Sequence, residues 1–269
     1  MKNLLTIAGS DSCGGAGIQA DLKTFSALGT YGMSVITAVT AQNTTGVFQV
    51  REMDADMVRA QIDCLFDDIM IHAVKIGMVS SAEIIATIGS CLRDRTTAPI
   101  VLDPVMVSKS GSHLLQPEAT AALLEDLFPL VEIVTPNLYE AEVITGQKID
   151  NVDDMEEAAV KIHGLGARHV VVKGGHLAGD DAVDVLYDGL HFTHLPGKRF
   201  NTPNTHGTGC TFSSAIAAYL AKGFSVPEAV SEAKTYISGA IENSFALGHG
   251  VGPTHHFYAL YRQAGVGHE

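Results

Sequence analysis

Several kinds of residue and segment are scarce in this chain of 269 residues, and each scarcity excludes a class of protein. Tryptophan is absent, and the four cysteines are scattered without a Cys-x-x-Cys pair, which argues against a disulfide framework or a zinc site and predicts a cytoplasmic setting. No apolar run reaches about 18 residues, the length of a membrane span. The formal net charge is −13, and a chain this acidic is a poor candidate for nucleic-acid binding.

The rest of the composition is typical of a globular protein. Hydrophobic residues make up 46% of the chain and charged residues 17%, which provides enough apolar material for a packed core. The sequence contains no internal repeat and no low-complexity linker. Length and continuity together predict a single domain that spans residues 1–269.

Short β-branched segments alternate with helical segments along most of the chain. The helical segments place apolar residues three and four apart, as Ile84, Ile88 and Leu92 do, which is typical of amphipathic helices. The alternation predicts a mainly parallel sheet with helices on both faces. The predicted strands are Leu4–Ala8, Ala73–Ile76, Ile100–Asp103, Glu132–Thr135 and His169–Lys173.

Two regions depart from this alternation. Met33–Thr40 and Val47–Met53 predict a pair of strands that overhangs a site. Ala182–Tyr187 and His191–Leu195 are joined by Asp188-Gly189, which predicts a hairpin with a tight primed turn.

The most informative segment is Thr205–Cys210, with the sequence THGTGC, which is followed by small and apolar residues typical of a packed helix. Backbone N–H groups and the positive end of the helix dipole make such a helix start an anion cradle. A cysteine at a helix start is expected to have a lowered pKa. An anion cradle beside a proton acceptor is what phosphoryl transfer to a hydroxyl requires. The alternative is an ordinary glycine turn with a buried structural cysteine.

A second glycine-rich loop, Gly9–Gly17, lies between the first predicted strand and a helix. Open α/β sheets bind ligands at such loops, although the spacing matches neither a Walker A loop nor G-x-G-x-x-G. In the helix that follows, Asp21 projects between Ile18 and Leu28, inside the apolar arc. Because an unpartnered buried carboxylate is costly, Asp21 is expected to contact a polar substrate group, to be a structural hydrogen-bond acceptor, or to lie at the surface edge.

Polar residues follow three of the predicted strands. Asp103 ends one strand, and Asn137 and Glu140 follow the next. Such oxygen ligands suit Mg²⁺, so Asp103 and Glu140 are candidate metal ligands; the alternative for Asn137 and Glu140 is helix capping. Lys173 ends a third strand beside two glycines, which indicates either an anion partner or a solvated lysine at the sheet edge.

The remaining histidines and cysteines lack the spacing of metal ligands. The histidines expected to be polar surface or loop residues are His176, His206, His255 and His256. The cysteines expected to be packing or incidental residues are Cys13, Cys64 and Cys91.

Six sequence motifs lie between Thr6 and the region of Pro253, in this order: Ala8–Ser12, Gly14–Thr24, Lys75–Met78, Leu102–Val107, Thr135–Glu142 and Thr202–Cys210. Together they resemble the ribokinase-like superfamily. Within it, the chain is most similar to the vitamin-kinase branch, which contains hydroxymethylpyrimidine/phosphomethylpyrimidine kinases and related pyridoxal kinases. Most ribokinase-like enzymes have aspartate where Cys210 stands, and cysteine at that position marks this branch.

The resemblance implies a three-layer α/β/α fold with a small strand-pair flap, the use of ATP and Mg²⁺, phosphorylation of a hydroxymethyl group, and a homodimer. The residues that match the anion hole and catalytic base are Gly207, Thr208, Gly209 and Cys210. Those that match phosphate-binding positions are Asn137, Glu140 and Lys173. Those that match the substrate pocket are Gly9, Asp21, Gln42, Met78 and Val105.

Gln42 discriminates between the two substrates of this branch. Its carboxamide offers a donor and an acceptor from one planar group, which complements the edge of an aminopyrimidine and not the ring of pyridoxal. The expected substrates are therefore 4-amino-5-hydroxymethyl-2-methylpyrimidine and its monophosphate, as part of thiamine biosynthesis. The alternatives are a pyridoxal or pyridoxine kinase and, outside enzymes, a catalytically silent ligand sensor.

Overall fold

The computed structural model describes residues 1–106, 117–175, 177 and 182–266. The strands in these ranges are β1 (Asn3–Ser10), β2 (Tyr31–Asn43), β3 (Gly46–Glu52), β4 (Ala73–Ile76), β5 (Ile100–Leu102), β6 (Ile133–Val134), β7 (His169–Val172), β8 (Asp184–Tyr187) and β9 (Phe192–Leu195). The helices are α1 (Gly17–Ala27), α2 (Ala55–Asp68), α3 (Ala82–Arg95), α4 (Pro117–Ala122), α5 (Leu138–Thr145), α6 (Val152–His163), α7 (Thr208–Ala221), α8 (Val226–Glu242) and α9 (Tyr258–Gln263). A π-helical turn (Leu123–Leu127) and a 3₁₀ turn (Phe128–Leu130) follow α4.

All of these strands belong to one sheet, in the order β3-β2-β1-β4-β5-β6-β7-β8-β9. Pairing is parallel from β2 to β7 and antiparallel at both edges. The predicted mainly parallel sheet is therefore confirmed. Asp103 and Lys173 lie one residue beyond the ends of β5 and β7, so their side chains reach the carboxyl edge where parallel sheets bind ligands.

The sheet separates two apolar cores, which gives the molecule three layers. One core contains buried residues of α2, α3, α5 and α6, such as Ile62, Ile88 and Ile162. The other contains buried residues of α1, α7 and α8, such as Phe25 and Ile216. Burial of apolar side chains on both faces stabilises the sheet by roughly 25 cal/mol for each Å² removed from water.

The predicted strand pair is present, but it is not separate from the main sheet. Most of β2 pairs in parallel with β1, from Tyr31 to Val39, and only β3 and the outer end of β2 extend beyond it. The turn between β2 and β3 contacts the C-terminal region, because Thr44 O accepts a hydrogen bond from the N–H of Val251 at 2.9 Å. The predicted hairpin of β8 and β9 is confirmed as an antiparallel pair.

His255 and His256 were expected to be surface or loop residues, and they lie in a loop, but this loop is buried. They are only 4% and 5% exposed, and His256 Nε2 lies 3.1 Å from the Thr211 hydroxyl. Burial lowers the pKa of His256 to about 3. His176, for which a surface or loop position was expected, and Val107 of the fourth motif lie outside the described residues.

None of the described helices has both the length and the apolar character that a membrane span requires.

Candidate active site

The THGTGC segment forms the predicted helix start. Helix α7 begins at Thr208, and Gly207 before it adopts a left-handed conformation with φ +76°. A Cβ on Gly207 would overlap the carbonyl oxygen of Gly15. The two glycine-rich loops therefore contact each other through their backbones, and only glycine fits at this point.

A cation and a carboxylate converge on this helix start. A Cβ on Gly209 would lie 3.2 Å from Asp103 Oδ2 and 3.3 Å from Lys173 Nζ. Lys173 Nζ donates to Asp103 Oδ1 at 3.0 Å. The first-turn N–H groups of Gly209 and Cys210 have no intrahelical acceptor because of their position in the helix. Amides, a lysine and a carboxylate thus surround one point at the carboxyl edge of the sheet.

Glu140 completes the charged group. Burial raises the pKa of the Glu140 carboxyl, while Lys173 acts in the opposite direction. Burial opposes the charge of Lys173, but Asp103 and Glu140 outweigh it and keep its pKa above the ordinary value. One lysine is therefore shared by two carboxyl groups.

Asn137 and Glu140 cap α5, as the alternative reading of these residues predicted. The N–H of Glu140 donates to Asn137 Oδ1 at 3.0 Å, and the N–H of Asn137 donates to Glu140 Oε2 at 2.7 Å. The second carboxylate oxygen of Glu140 has no part in this reciprocal pair. Capping fixes the Glu140 side chain near Lys173 and does not conflict with a role in phosphate or metal binding.

The donor set suits Mg²⁺ that is shared with phosphates. Among the described residues, no three acidic, histidine or cysteine side chains form a metal cage. Asp103 and Glu140 offer two buried carboxylates, each 3% exposed, and Mg²⁺ commonly takes one or two carboxylates and completes its octahedron with waters and substrate phosphates. The two residues fit that limited contribution.

Cys210 lies where the sequence places it, but its pKa differs from the expectation. The main-chain N–H of Gly17, in the Gly9–Gly17 loop, favours the thiolate. Burial raises the pKa of the Cys210 thiol to about 11, and although Lys75 favours the thiolate, Asp21 and Asp103 oppose it. The expected lowering by the helix start is therefore wrong for the ligand-free protein, because desolvation and two carboxylates outweigh the N–H groups.

Asp21 lies in a sealed hydrogen-bond cluster beneath the cradle. Its Oδ2 accepts from Thr6 Oγ1 at 2.6 Å and from Lys75 Nζ at 2.9 Å, and its Oδ1 accepts from Ser214 Oγ at 2.7 Å. Both Asp21 and Lys75 are 0% exposed. This geometry favours the structural alternative over direct contact with a substrate.

The other predicted substrate residues lie in or just after strands β1, β2, β4 and β5. Gly9 is packed against Met78, since a Cβ on Gly9 would overlap the Met78 side chain. Gln42 lies at the outer end of β2, with its amide 3.4 Å from His206 Nε2. Val105 has a positive φ of 35°, a strained conformation for a β-branched residue and one that is common at binding sites.

His206 lies in a loop, as one of the two alternatives for it predicted, but its side chain is mostly buried. Its side chain is 16% exposed, and Nε2 lies 2.8 Å from Asp11 Oδ2. Asp11 also accepts the N–H groups of Cys13 and Ala16, each at 2.8 Å. The pair therefore joins the two glycine-rich loops through their side chains.

Sequence reasoning missed Lys75, Asp11 and His206 as contributors to the site. A usable signal existed for Lys75, because a lysine inside the four-residue apolar strand AVKI needs a buried partner, and Asp21 was already placed in an apolar arc. Asp11 and His206 are 195 positions apart, and no pattern in the sequence joins them.

Comparison with known proteins identifies the family. The sequence profile described as phosphomethylpyrimidine kinase matches residues 11–255. The hydroxymethylpyrimidine/phosphomethylpyrimidine kinase of Rhizobium meliloti (strain 1021) is 54% identical over 261 residues, which cover 96% of this chain and 98% of that protein. The thiamine biosynthesis bifunctional protein ThiED of Geobacter sulfurreducens is 51% identical over 257 residues, which cover 96% of this chain and 52% of that protein.

A solved structure supports the same assignment at the level of the fold. The ADP complex of Bacillus subtilis pyridoxal kinase has a TM-score of 0.88 to this chain at 46% identity, covering 95% of this chain and 97% of that one. The family profile spans most of the sequence, and the relatives align over nearly all of it. The chain belongs to the phosphomethylpyrimidine kinase family.

Proposed function

We propose that this chain transfers the terminal phosphate of ATP first to the hydroxymethyl group of 4-amino-5-hydroxymethyl-2-methylpyrimidine and then to the resulting monophosphate. The observation that carries the proposal is the convergence on Gly209, where first-turn N–H groups, Lys173 and Asp103 meet within about one side-chain length. Phosphoryl transfer depends chiefly on positioning and on stabilising charge around the phosphorus. The name of the Rhizobium relative supports the substrate, and that of ThiED supports a place in thiamine biosynthesis.

Each group then has a physical task. The amides of Gly207–Cys210 and the Lys173 ammonium hold the charge that develops on the transferred phosphoryl group. Gln42 pairs with the donor–acceptor edge of the pyrimidine. Mg²⁺, held by Asp103 and Glu140, would neutralise phosphate charge when bound.

Cys210 is proposed as the acceptor of the hydroxymethyl proton. With a pKa of about 11 in the ligand-free protein, the thiol is protonated at neutral pH, so it must release this proton to solvent as the substrates assemble, before it accepts the hydroxymethyl proton. In the second phosphorylation the attacking atom is a phosphate oxygen of the monophosphate, which is already largely ionised and needs no base. If Cys210 is the base, replacing it should slow the first phosphorylation far more than the second.

Two alternatives compete with this function. Pyridoxal kinase activity is favoured by the fold of the Bacillus subtilis relative, and it is disfavoured by Gln42, whose amide has no matching edge on pyridoxal. A silent ligand sensor is disfavoured because Cys210, Lys173 and Asp103 lie together at one point. We also propose a homodimer and a cytoplasmic location, the latter because all four cysteines are free.

A coupled ADP-release assay with the pyrimidine, its monophosphate and pyridoxal separates these functions. We expect both pyrimidines to be substrates and to be preferred over pyridoxal. C210A should slow the first step by about 10²–10⁴-fold and the second by far less. Equal loss in both steps would remove the base role, and preference for pyridoxal would replace the proposed substrate.

A further inference from the structure

A chain of hydrogen-bonding side chains ends on Gln42 and has no role in the reaction described above. The Ser12 hydroxyl holds the Gln42 main chain, donating to its carbonyl oxygen at 2.7 Å and accepting from its N–H at 2.8 Å. The Gln42 carboxamide lies between two neighbours, with its Nε2 3.4 Å from His206 Nε2 and its Oε1 3.3 Å from Thr40 Oγ1. Each neighbour determines which end of the amide it can accept.

His206 presents to Gln42 a ring nitrogen that cannot accept a hydrogen bond. The Asp11 carboxylate accepts the main-chain N–H groups of Cys13, Gly15 and Ala16 at 2.8, 3.1 and 2.8 Å. A carboxylate in this position is an acceptor only, so the 2.8 Å contact between Asp11 Oδ2 and His206 Nε2 requires that Nε2 carries the hydrogen. The ring nitrogen has no lone pair left to accept from the Gln42 amide.

Thr40 presents a lone pair to Gln42. Its hydroxyl donates to the Ser10 carbonyl oxygen at 2.9 Å, a shorter contact than the 3.3 Å to the Gln42 amide. A hydroxyl has one proton, so the Ser10 carbonyl uses it and the oxygen lone pairs face Gln42. The Gln42 NH₂ group suits this neighbour, whereas it finds no acceptor at His206.

The two ends of a carboxamide exchange places by a half-turn about its last side-chain bond. With the nitrogen toward His206, the NH₂ group faces a ring nitrogen that cannot accept, and the amide oxygen faces the lone pairs of Thr40. With the oxygen toward His206, the NH₂ group donates to Thr40 and the oxygen stays open to a donor on the substrate. A polar group left without a partner in a half-buried site costs more than a hydrogen bond contributes. The network therefore selects one orientation of the Gln42 amide.

We propose that His206, held as a donor by Asp11, and Thr40 together fix the polarity of the Gln42 amide, with its oxygen on the His206 side. His206 is then a positioning residue for substrate specificity. The inference rests on the proposed pyrimidine substrate and deepens it. It requires that the exocyclic amine of the pyrimidine lies on the His206 side of Gln42 and that the ring nitrogen lies on the Thr40 side.

Two substrates whose ring edges carry donor and acceptor in opposite order test this proposal. In the 4-oxo analogue of the pyrimidine, a carbonyl replaces the exocyclic amine and the ring nitrogen carries a hydrogen, so donor and acceptor exchange positions. A fixed amide rejects this analogue, because a site built to hydrogen-bond one edge leaves its polar atoms unpaired with the other. A freely turning amide accepts both edges. The measured quantity is the ratio of kcat/KM for the amino compound to that for the oxo compound.

Wild type is expected to prefer the amino compound by at least about a hundredfold. H206F removes the donor at similar ring size and T40V removes the lone pair from the other end, and each should narrow the ratio about tenfold. H206Q returns an N–H donor and should restore part of the preference. H194F is the matched control, because His194 forms a 2.8 Å pair with Glu156 outside the site, and it should leave the ratio unchanged.

A double variant decides whether His206 acts through Gln42. In a Q42A background, H206F should cause no further change in the ratio, because coupled residues are non-additive. A wild-type ratio in folded H206F and T40V, or full additivity with Q42A, would overturn the proposal. If wild type phosphorylated neither compound, the proposed function would fail, and the same ratio measured as Kd by calorimetry would still decide the polarity.

Discussion

Two lysine–carboxylate pairs lie close to the candidate site, and they differ in exposure. Lys75 and Asp21 are joined at 2.9 Å, and both side chains are 0% exposed. Lys173 and Asp103 are joined at 3.0 Å, with side chains 16% and 4% exposed. Distance therefore does not distinguish the pairs, whereas access to ligand does.

The Lys75–Asp21 pair, which is closed to solvent, holds several elements of the fold together. Asp21 also accepts hydrogen bonds from Thr6 of β1 and Ser214 of α7, so one carboxylate ties α1 to the sheet and to the helix that carries the cradle. The open pair lies against Gly209, where an incoming phosphate can replace a carboxylate as the partner of Lys173. Cys210 is influenced by both pairs. We therefore expect the Lys75–Asp21 pair to contribute to stability and the Lys173–Asp103 pair to contribute to the chemistry.

K75M should have the largest effect on stability. Removing one partner leaves Asp21 as an uncompensated buried charge, which costs about 3–5 kcal/mol. Urea unfolding followed by circular dichroism measures the loss. Replacing both partners, as K75M with D21L, should recover part of it, because no buried charge remains. A loss under about 1 kcal/mol, the range of an exposed pair, would contradict the framework role.

K173M should affect catalysis more than stability. Loss of a preorganised charge aimed at the transferred phosphoryl group costs about 10²–10³ in kcat. Initial rates of ADP release measure the effect, and K148M serves as the control, since Lys148 forms an exposed pair with Glu142. A kcat close to that of wild type would place the phosphate elsewhere.

The pKa of Cys210 tests how the two pairs act on one thiol. Because the thiolate is the reactive form, the alkylation rate of Cys210 by iodoacetamide should keep rising toward its pKa of about 11. The measurement needs a background in which Cys13 and Cys64 are serine, with C210A as the blank. K75M should move the midpoint upward, because Lys75 favours the thiolate. A midpoint at or below the ordinary thiol value of about 8.5 would contradict the buried environment.

The smallest effect concerns acid stability. Burial lowers the pKa of His256 to about 3, so below the ordinary value of about 6.5 the unfolded chain binds a proton that the folded chain does not. Stability is complete above that value and falls as the pH decreases toward 3, by up to about 1.4 kcal/mol per pH unit. H256Q keeps an acceptor for the Thr211 hydroxyl and cannot titrate, so it should lose less stability between pH 7 and 5. Equal acid loss in both proteins, measured by urea unfolding, would show that His256 is not the group responsible.

The sequence predicted the parallel sheet and the positions of Asp103 and Lys173, because strand periodicity and strand ends are local properties. It could not predict the raised pKa of Cys210, since a helix start is visible in the sequence while burial and two distant carboxylates are not. The sealed state of Asp21 likewise depends on Lys75, 54 positions away. The same reason explains His256, whose environment is made by elements far apart in the chain.

The amides at the start of α7 are proposed to receive the terminal phosphate of ATP. A crystal structure with the pyrimidine and a non-hydrolysable ATP analogue is the decisive experiment for this proposal. We expect the γ-phosphate within hydrogen-bond distance of the N–H groups of Gly209 and Cys210, with the hydroxymethyl oxygen next to the Cys210 sulfur. A γ-phosphate bound away from α7, with the cradle filled only by water, would contradict it.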